Sequence, residues 1–202
     1  MNYLQWLSSE TPTKFWHDSA IPSEIDAAIA NGALGVTTNP VLTYKTLQAV
    51  PEFWQPQVDQ FPKDLTPAEH AEALKMVTQY AAGRFKDVYE KTDGENGYAL
   101  GQLDPSICND TDKMIAQGLR YASWAENISV KTPSILSALP FVEELASRGI
   151  AVCTTLNFSV SQAMAVGEAY MRGRKKAIGA GIRPKPIFVV QQGGRLDEYL
   201  LE

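Results

Sequence analysis

Asn127-Ile-Ser-Val-Lys-Thr-Pro133 is the stretch of sequence on which the interpretation of this chain depends. Its apolar and polar residues alternate, which predicts a short buried strand with Ser129 and Lys131 on one face. Pro133 is expected to end the pairing, because proline has no N–H to donate. Lys131 therefore falls at the carboxyl end of its strand, where barrels and open α/β sheets hold their reactive groups.

A lysine at such a position allows two interpretations. An exposed lysine has a pKa of about 10.4 and is protonated at neutral pH, so Lys131 can simply cap the strand in solvent. A lysine that attacks a carbonyl must be partly desolvated or lie among other charges, which lowers its pKa by roughly three units, about 4 kcal/mol. The seven residues alone favour the solvent-exposed cap.

Six segments of the chain combine an apolar strand with polar residues at its end, and each is followed by residues at helical spacing. Such alternation predicts an α/β fold with a parallel sheet and right-handed crossovers. The predicted strands cover residues 14–20, 33–40, 97–105, 127–133, 149–156 and 186–190.

The polar strand ends recur at one pole of the predicted sheet, which favours a TIM (β/α)8-type barrel over an open sheet. About six of the eight units fall within the 202 residues. A complete barrel typically needs about 250 residues. We therefore interpret residues 1–202 as a single barrel domain that is incomplete at its C-terminus.

Helices are predicted between the strands from apolar spacing and from capping residues. Residues 68–90 are predicted to form one long helix. The polar stretch 43–67 is interpreted as an insert, either a lid or a subunit contact. The residues expected to begin the other helices are Ser23, Asn109 or Asp110, Ser134 or Ser137, and Ser159, with Gly193-Gly194 as a turn before a helix from Leu196.

The composition excludes several classes of partner. A net charge of −5 argues against nucleic acid or an anionic membrane surface. The basic residues within 172–176 are interpreted as a solvated helix end. No segment approaches the roughly 18 apolar residues of a membrane span.

Two cysteines occur, Cys108 and Cys153, without the spacing of a metal site or a disulfide framework. The amino terminus lacks the basic and apolar segments of a secretory signal. The sequence therefore predicts a reduced, cytoplasmic protein and no metal site.

Five motifs, in this order along the chain, resemble the transaldolase family, a relative of the Schiff-base (class I) aldolases. Each motif alone is weakly specific, whereas the ordered set is specific. The motifs are His17-Asp-Ser-Ala20, Gly35-Val-Thr-Thr-Asn-Pro40, the Lys131 strand, Gly149-Ile-Ala-Val-Cys-Thr-Thr-Leu-Asn-Phe-Ser159 before Gln162-Ala163, and Gly194-Arg-Leu-Asp197.

The resemblance implies that Lys131 forms a Schiff base with a ketose phosphate and that Asp18 donates and accepts protons during carbon–carbon cleavage. It further implies that Asn39 hydrogen-bonds the bound dihydroxyacetone unit. Thr155 would help to hold the catalytic water, and Arg195 would bind the substrate phosphate. Taken singly, each of these residues also has an ordinary structural explanation as a cap, a turn, a strand residue or a surface charge.

The same motifs imply that Thr38 and Cys153 contact the substrate and that Gln102 belongs to the catalytic set. No metal or organic cofactor is expected, because the iminium at Lys131 is itself the electron acceptor. The implied reaction transfers a dihydroxyacetone unit between a ketose phosphate (sedoheptulose 7-phosphate or fructose 6-phosphate) and an aldose phosphate, in the pentose phosphate pathway. The sugar phosphates are the expected partners, and a homodimer is left open.

Two positions and one strand depart from the family pattern. Gln102 occupies the place of a glutamate, Cys153 that of an asparagine, and the last predicted strand lacks the usual Ser-Pro-Phe. An amide cannot relay protons as a carboxylate does, although it can orient a water. Two alternatives therefore remain, a fructose 6-phosphate aldolase-like lyase that releases free dihydroxyacetone and a non-catalytic sugar-phosphate-binding homologue.

Overall fold

The computed structural model describes residues 1–61, 64 and 66–201, without the side chains at 67, 68, 70–74, 195 and 196. The strand order in the sheet follows the chain, β1-β2-β3-β4-β5, and the described pairings are parallel. The α/β class and the parallel sheet of a partial TIM barrel are confirmed. The strands are β1 (Gly35–Thr37), β2 (Tyr98–Gln102), β3 (Ile128–Pro133), β4 (Val152–Asn157) and β5 (Ile187–Gln191).

Helices connect the strands, as βαβ units require. Several of them begin at the polar residues that the sequence indicates. Asp110 accepts a hydrogen bond from the backbone N–H of Lys113, and Ser159 accepts one from that of Gln162. The helices are α1 (Tyr3–Glu10), α2 (Pro22–Ala30), α3 (Pro40–Ala49), α4 (Pro51–Val58), α5 (Pro67–Arg84), α6 (Lys86–Lys91), α7 (Thr111–Ala122), α8 (Ala138–Ser147), α9 (Val160–Gly179) and α10 (Gly193–Leu201).

The chain divides into two compact units. The first unit comprises Met1–Gln102 and Trp124–Ile128, and the second comprises Leu103–Ser123 and Ser129–Glu202. The single domain inferred for residues 1–202 stays a prediction.

The first unit holds the predicted strand 14–20 against β1, although only one residue of it forms a β-bridge, His17 to Val36. The backbone N–H of His17 donates to the carbonyl of Gly35, and that of Leu34 donates to Phe15. A Cβ at Gly35 would lie 2.7 Å from ring atoms of Trp16, so this strand requires a glycine there. The segment therefore pairs as predicted, but over a shorter length.

The second unit is built around α8 and α9, whose close approach depends on Gly173. A Cβ at Gly173 would lie 2.2 Å from the carbonyl oxygen of Glu143 and 2.7 Å from the Cβ of Ala146. Phe141, Val142 and Leu145 of α8 are fully buried and form the core beneath the sheet. Burial of each such side chain contributes about 1.5–3 kcal/mol.

The insert predicted at 43–67 is helical over much of its length, since it contains most of α3 and all of α4. The buried residues of α3 are Thr43 and Thr46. Because threonines rather than aliphatic residues form the buried face, the apolar period that identifies a helix is missing. The sequence of this segment therefore carries no helix signal, although α3 and α4 form there.

Other boundaries also differ from expectation. The long helix predicted at 68–90 is interrupted at Phe85, which lies between α5 and α6. Gly193 and Gly194 are the first residues of α10 and not a turn. The cap of α2 is Ile21, because Pro22 occupies the first helical position, where its missing N–H costs nothing.

Helix α1 was not predicted. Asn2 and Gln5 form a capping box, with their side chains and backbone N–H groups bonded reciprocally at 2.9 and 2.8 Å. Among the described helices, none combines the length and apolar character that crossing a bilayer demands.

The approach of α8 to α9 gives the first testable prediction. Gly173→Ala is expected to lower the free energy of unfolding by about 1–3 kcal/mol, because the new methyl group meets backbone. Gly167→Ala is the matched control in the same helix, since a Cβ there meets nothing within 4 Å. It is expected to raise the free energy of unfolding by about 0.5–1 kcal/mol through helix propensity. Urea unfolding followed by circular dichroism measures both, and equal effects would contradict the close approach.

Candidate active site

Lys131 lies in β3, where it pairs in register with Cys153 of β4. The backbone N–H of Leu103 donates to the carbonyl of Lys131 at 2.8 Å. Only 8% of the lysine is exposed, although it is a residue type that is rarely buried. The interpretation of Lys131 as a solvent-exposed cap is therefore wrong.

The strand continues past Lys131 to Pro133, which pairs with Thr155. The backbone N–H groups of Val130 and Ser134 donate to Ala151 and Thr155 of the β4 side. Because donors alternate along a strand, the missing N–H of Pro133 falls on the side away from β4. Proline is thus tolerated as the last residue of β3, and the pairing ends at Pro133 as predicted.

The surroundings of Lys131 favour a neutral amine. Burial lowers the pKa of Lys131 below its ordinary value of 10.5, and the neighbouring Cys153 opposes this shift only in part. Burial in turn raises the pKa of the Cys153 thiol to about 12. The thiol is therefore neutral at neutral pH and supplies no negative charge to stabilise an ammonium ion.

Thr155 shares the face of Lys131, because Pro133, its register partner, lies two residues after the lysine. The residue is 7% exposed. The side-chain amide of Gln192 donates to its hydroxyl at 3.0 Å. In the second unit, the structure thus brings Lys131, Cys153 and Thr155 together on one face of neighbouring strands.

In the first unit, the predicted acid Asp18 lies on the same face as Thr37 and Gln102. Thr37 pairs with Leu100, and Gln102 follows Leu100 by two positions, so Thr37 and Gln102 share a face. Asp18 follows His17, which bridges β1, and alternation places it on that same face. Asp18 is exposed, whereas Gln102 is partly buried.

Thr38 lies on the opposite face from Asp18. It is 1% exposed, and its hydroxyl donates to the carbonyl of Leu100 at 2.6 Å and lies 3.0 Å from the hydroxyl of Thr78 in α5. These contacts join the residue that follows β1 to β2 and to α5. Thr37, its neighbour, is the better placed candidate for a substrate contact.

Asn39 is the N-cap of α3, and its side-chain oxygen accepts from the backbone N–H of Leu42 at 2.9 Å. A contact with substrate would use its amide nitrogen or the second lone pair of its oxygen. Arg195 belongs to the first turn of α10, but its side chain lies outside the described residues, so its phosphate contact stays a prediction.

Two features of the candidate site are not predicted from the sequence. One is Thr37 as a candidate for a substrate contact, and the other is the hydrogen bond between Gln192 and Thr155. Strand alternation counted from Gly35 would have identified Thr37. The Gln192 contact joins residues 37 positions apart and has no local signal. Among the described residues, no group of three or more histidine, cysteine, aspartate and glutamate side chains is placed to hold a metal ion.

Comparison with known proteins places these residues in a family. Residues 15–190 match the family model described as transaldolase/fructose-6-phosphate aldolase. Transaldolase 1 of Streptomyces coelicolor is 31% identical over 156 residues, which cover 74% of this chain and 40% of that protein. Transaldolases of Thermobifida fusca and Neisseria meningitidis are 32% and 29% identical over 155 and 170 residues, covering 73% and 83% of this chain. The matches span 41% and 48% of those two proteins, so the chain covers less than half the length of these relatives.

The lowered pKa of Lys131 gives a prediction about stability and pH. In the folded state the amine gives up its proton at a lower pH than the ordinary 10.5, so the unfolded chain binds more protons between these two values. The free energy of unfolding is therefore expected to rise with pH through that window. Lys131→Met should be more stable than the unsubstituted protein at pH 7, and the difference should shrink as the pH passes 10.5.

Urea unfolding at a series of pH values measures this difference. Lys175→Met, at an exposed position in α9, is the matched control and should show no such pH-dependent gain. A constant difference between Lys131→Met and the unsubstituted protein would mean that Lys131 keeps its ordinary pKa in the folded state.

Proposed function

Because the chain belongs to the transaldolase/fructose-6-phosphate aldolase family, we propose that it is a transaldolase that moves a dihydroxyacetone unit from a ketose phosphate to an aldose phosphate. Fructose 6-phosphate and sedoheptulose 7-phosphate are the proposed donors, which would place the reaction in the pentose phosphate pathway. The proposal extends to a cytoplasmic location. A homodimer stays a prediction.

The burial of Lys131 is the observation that carries this proposal. A neutral amine has the lone pair that a nucleophile needs, and the lowered pKa increases the neutral fraction at pH 7. The nitrogen attacks the ketone carbon, and one of its two protons passes to the carbonyl oxygen. An acid supplies a second proton, the oxygen leaves as water, and the nitrogen keeps its remaining hydrogen. The product is an iminium that joins the sugar to Lys131.

The iminium then accepts the electrons of the adjacent carbon–carbon bond. Cleavage requires a base to remove the proton of the hydroxyl group next to that bond, and we assign this role to Asp18. Its exposed carboxylate is accessible to a sugar that enters from solvent. The aldose leaves, and a three-carbon enamine remains on Lys131 until an acceptor aldose takes it up.

Gln102 favours a second candidate within the same chemistry, an aldolase that releases free dihydroxyacetone. Gln102 lies on the face of Asp18 and is partly buried, at the position where the family has a glutamate. A neutral amide neither donates nor accepts a proton in the reaction, but it can orient the water that releases the three-carbon unit.

The Schiff base gives the third prediction. Incubation with fructose 6-phosphate and borohydride is expected to leave a three-carbon adduct on Lys131, which peptide mass spectrometry locates. Lys131→Met should leave no adduct, whereas Lys175→Met should be labelled as the unsubstituted protein is. An unmodified Lys131, with a known transaldolase labelled in parallel, would support instead a non-catalytic sugar-phosphate-binding homologue.

The fate of the three-carbon unit gives the fourth prediction. With fructose 6-phosphate as donor, glyceraldehyde 3-phosphate should accumulate past one equivalent only when erythrose 4-phosphate is present, because the enamine needs an acceptor. A coupled assay that measures glyceraldehyde 3-phosphate with and without the acceptor tests this. Equal turnover without the acceptor would favour the aldolase.

A further inference from the structure

Gln192 has no role in the function proposed above, yet it contacts one of the predicted catalytic residues. It follows β5, and its side-chain amide donates to the hydroxyl of Thr155 at 3.0 Å. Both residues are at least partly buried, so this bond is shielded from competing water. We propose that Gln192 is a positioning residue that fixes the direction in which Thr155 donates its proton.

A β-bulge between β4 and β5 lies next to the contact of Gln192 with Thr155. Thr154 pairs with Val189 and Asn157 pairs with Gln191, so three steps along β4 match two steps along β5. Leu156 absorbs the extra residue with a φ of 60°, a conformation that costs a non-glycine residue about 1–3 kcal/mol. Such bulges often re-aim side chains near active sites.

Asn157 holds the bulge in place. Its side-chain amide donates to the carbonyls of Thr154 at 3.2 Å and Val190 at 3.0 Å, and it is fully buried. The backbone N–H of Gln192 donates to the carbonyl of Asn157 at 3.1 Å. Gln192 is therefore anchored at its backbone before its side chain reaches Thr155.

The hydrogen bond has a direction with chemical consequences. A threonine hydroxyl has one proton to donate and two lone pairs. Because the Gln192 amide occupies a lone pair of Thr155, the hydroxyl proton must point to another acceptor. Thr155 shares the face of Lys131, so its proton is available to an oxygen on that face.

This inference rests on the proposed function, in which the ketone oxygen leaves C2 of the sugar as water when C2 bonds to Lys131, and a solvent water later replaces it. We infer that Thr155 donates to that oxygen in both directions of the step. The proton that the leaving oxygen finally takes up comes from an acid, and Thr155 contributes a hydrogen bond without being consumed. Gln192 acts through Thr155 and touches no reacting atom.

Exchange of the ketone oxygen isolates this step, because Schiff-base formation expels the C2 oxygen and hydrolysis restores one from water. Release of label from fructose 6-phosphate carrying ¹⁸O at C2 is measured with the 202-residue protein. Gln192→Glu replaces the donor by an acceptor, so the Thr155 hydroxyl turns toward the carboxylate. Exchange is expected to slow at least tenfold, with KM for the sugar within twofold.

Two further variants keep the inference falsifiable. Gln192→Met removes the donor at similar volume and is expected to slow exchange by a smaller factor of three to ten. Gln191→Glu makes the same change at an exposed neighbour and should leave exchange within twofold. In a Thr155→Val background, Gln192→Glu should have no further effect, because its partner is gone.

The outcomes separate the two proposals. If the unsubstituted protein exchanges the oxygen and both Gln192→Glu and Gln192→Met exchange it at the same rate, the inference about Gln192 is overturned and the proposed function stands. Equal slowing by Gln191→Glu, or full additivity with Thr155→Val, overturns it as well, since the effect then does not pass through Thr155. No exchange by the unsubstituted protein overturns the proposed function together with the inference.

Discussion

The desolvation of a single amine is the constraint on which the rest of this structure depends. Taking a lysine out of water costs several kcal/mol while it stays charged, so the folded chain favours its neutral form. Burial is the larger cause of the lowered pKa of Lys131, and the register of β3 on β4 adds a smaller, opposing effect because it sets Cys153 opposite the lysine. A carboxylate at that position would hold the proton on the amine, whereas a buried thiol with a pKa raised to about 12 does not.

A strained residue lies in the neighbouring strand pair, β4 with β5. Leu156 has a left-handed φ of 60° and lies between Thr155 and Asn157 of β4. The pairing of β3 with β4 is regular up to Thr155. The cost is offset by the side-chain hydrogen bonds of Asn157, one to the carbonyl of Thr154 across the bulge within β4 and one to the carbonyl of Val190 in β5. The strained conformation of Leu156 thus accompanies the orientation of the Thr155 hydroxyl, and the strand of Lys131 stays undistorted.

How far the sequence predicts the structure depends on the range of the interactions involved. The Lys131 strand and the helix starts at Asp110 and Ser159 were predictable, because alternation and capping are local. Helix α3 was not, since its buried face is made of threonines. The burial of Lys131 and the contact of Gln192 with Thr155 arise between segments far apart in the chain, and no local pattern encodes them.

The resemblance implies a glutamate where this chain has Gln102, and this difference changes the roles that we propose for the other residues. An amide leaves Asp18 as the carboxylate of the predicted catalytic set, so the proton transfers of carbon–carbon cleavage fall to it. Steps that involve only water then depend on groups that orient without exchanging protons, such as the Thr155 hydroxyl and the Gln192 amide that directs it. Orientation by neutral donors varies little with pH, because neither an amide nor a hydroxyl titrates near neutrality. The orientation of the water is therefore expected to persist over the pH range in which the Lys131 amine gains and loses its proton.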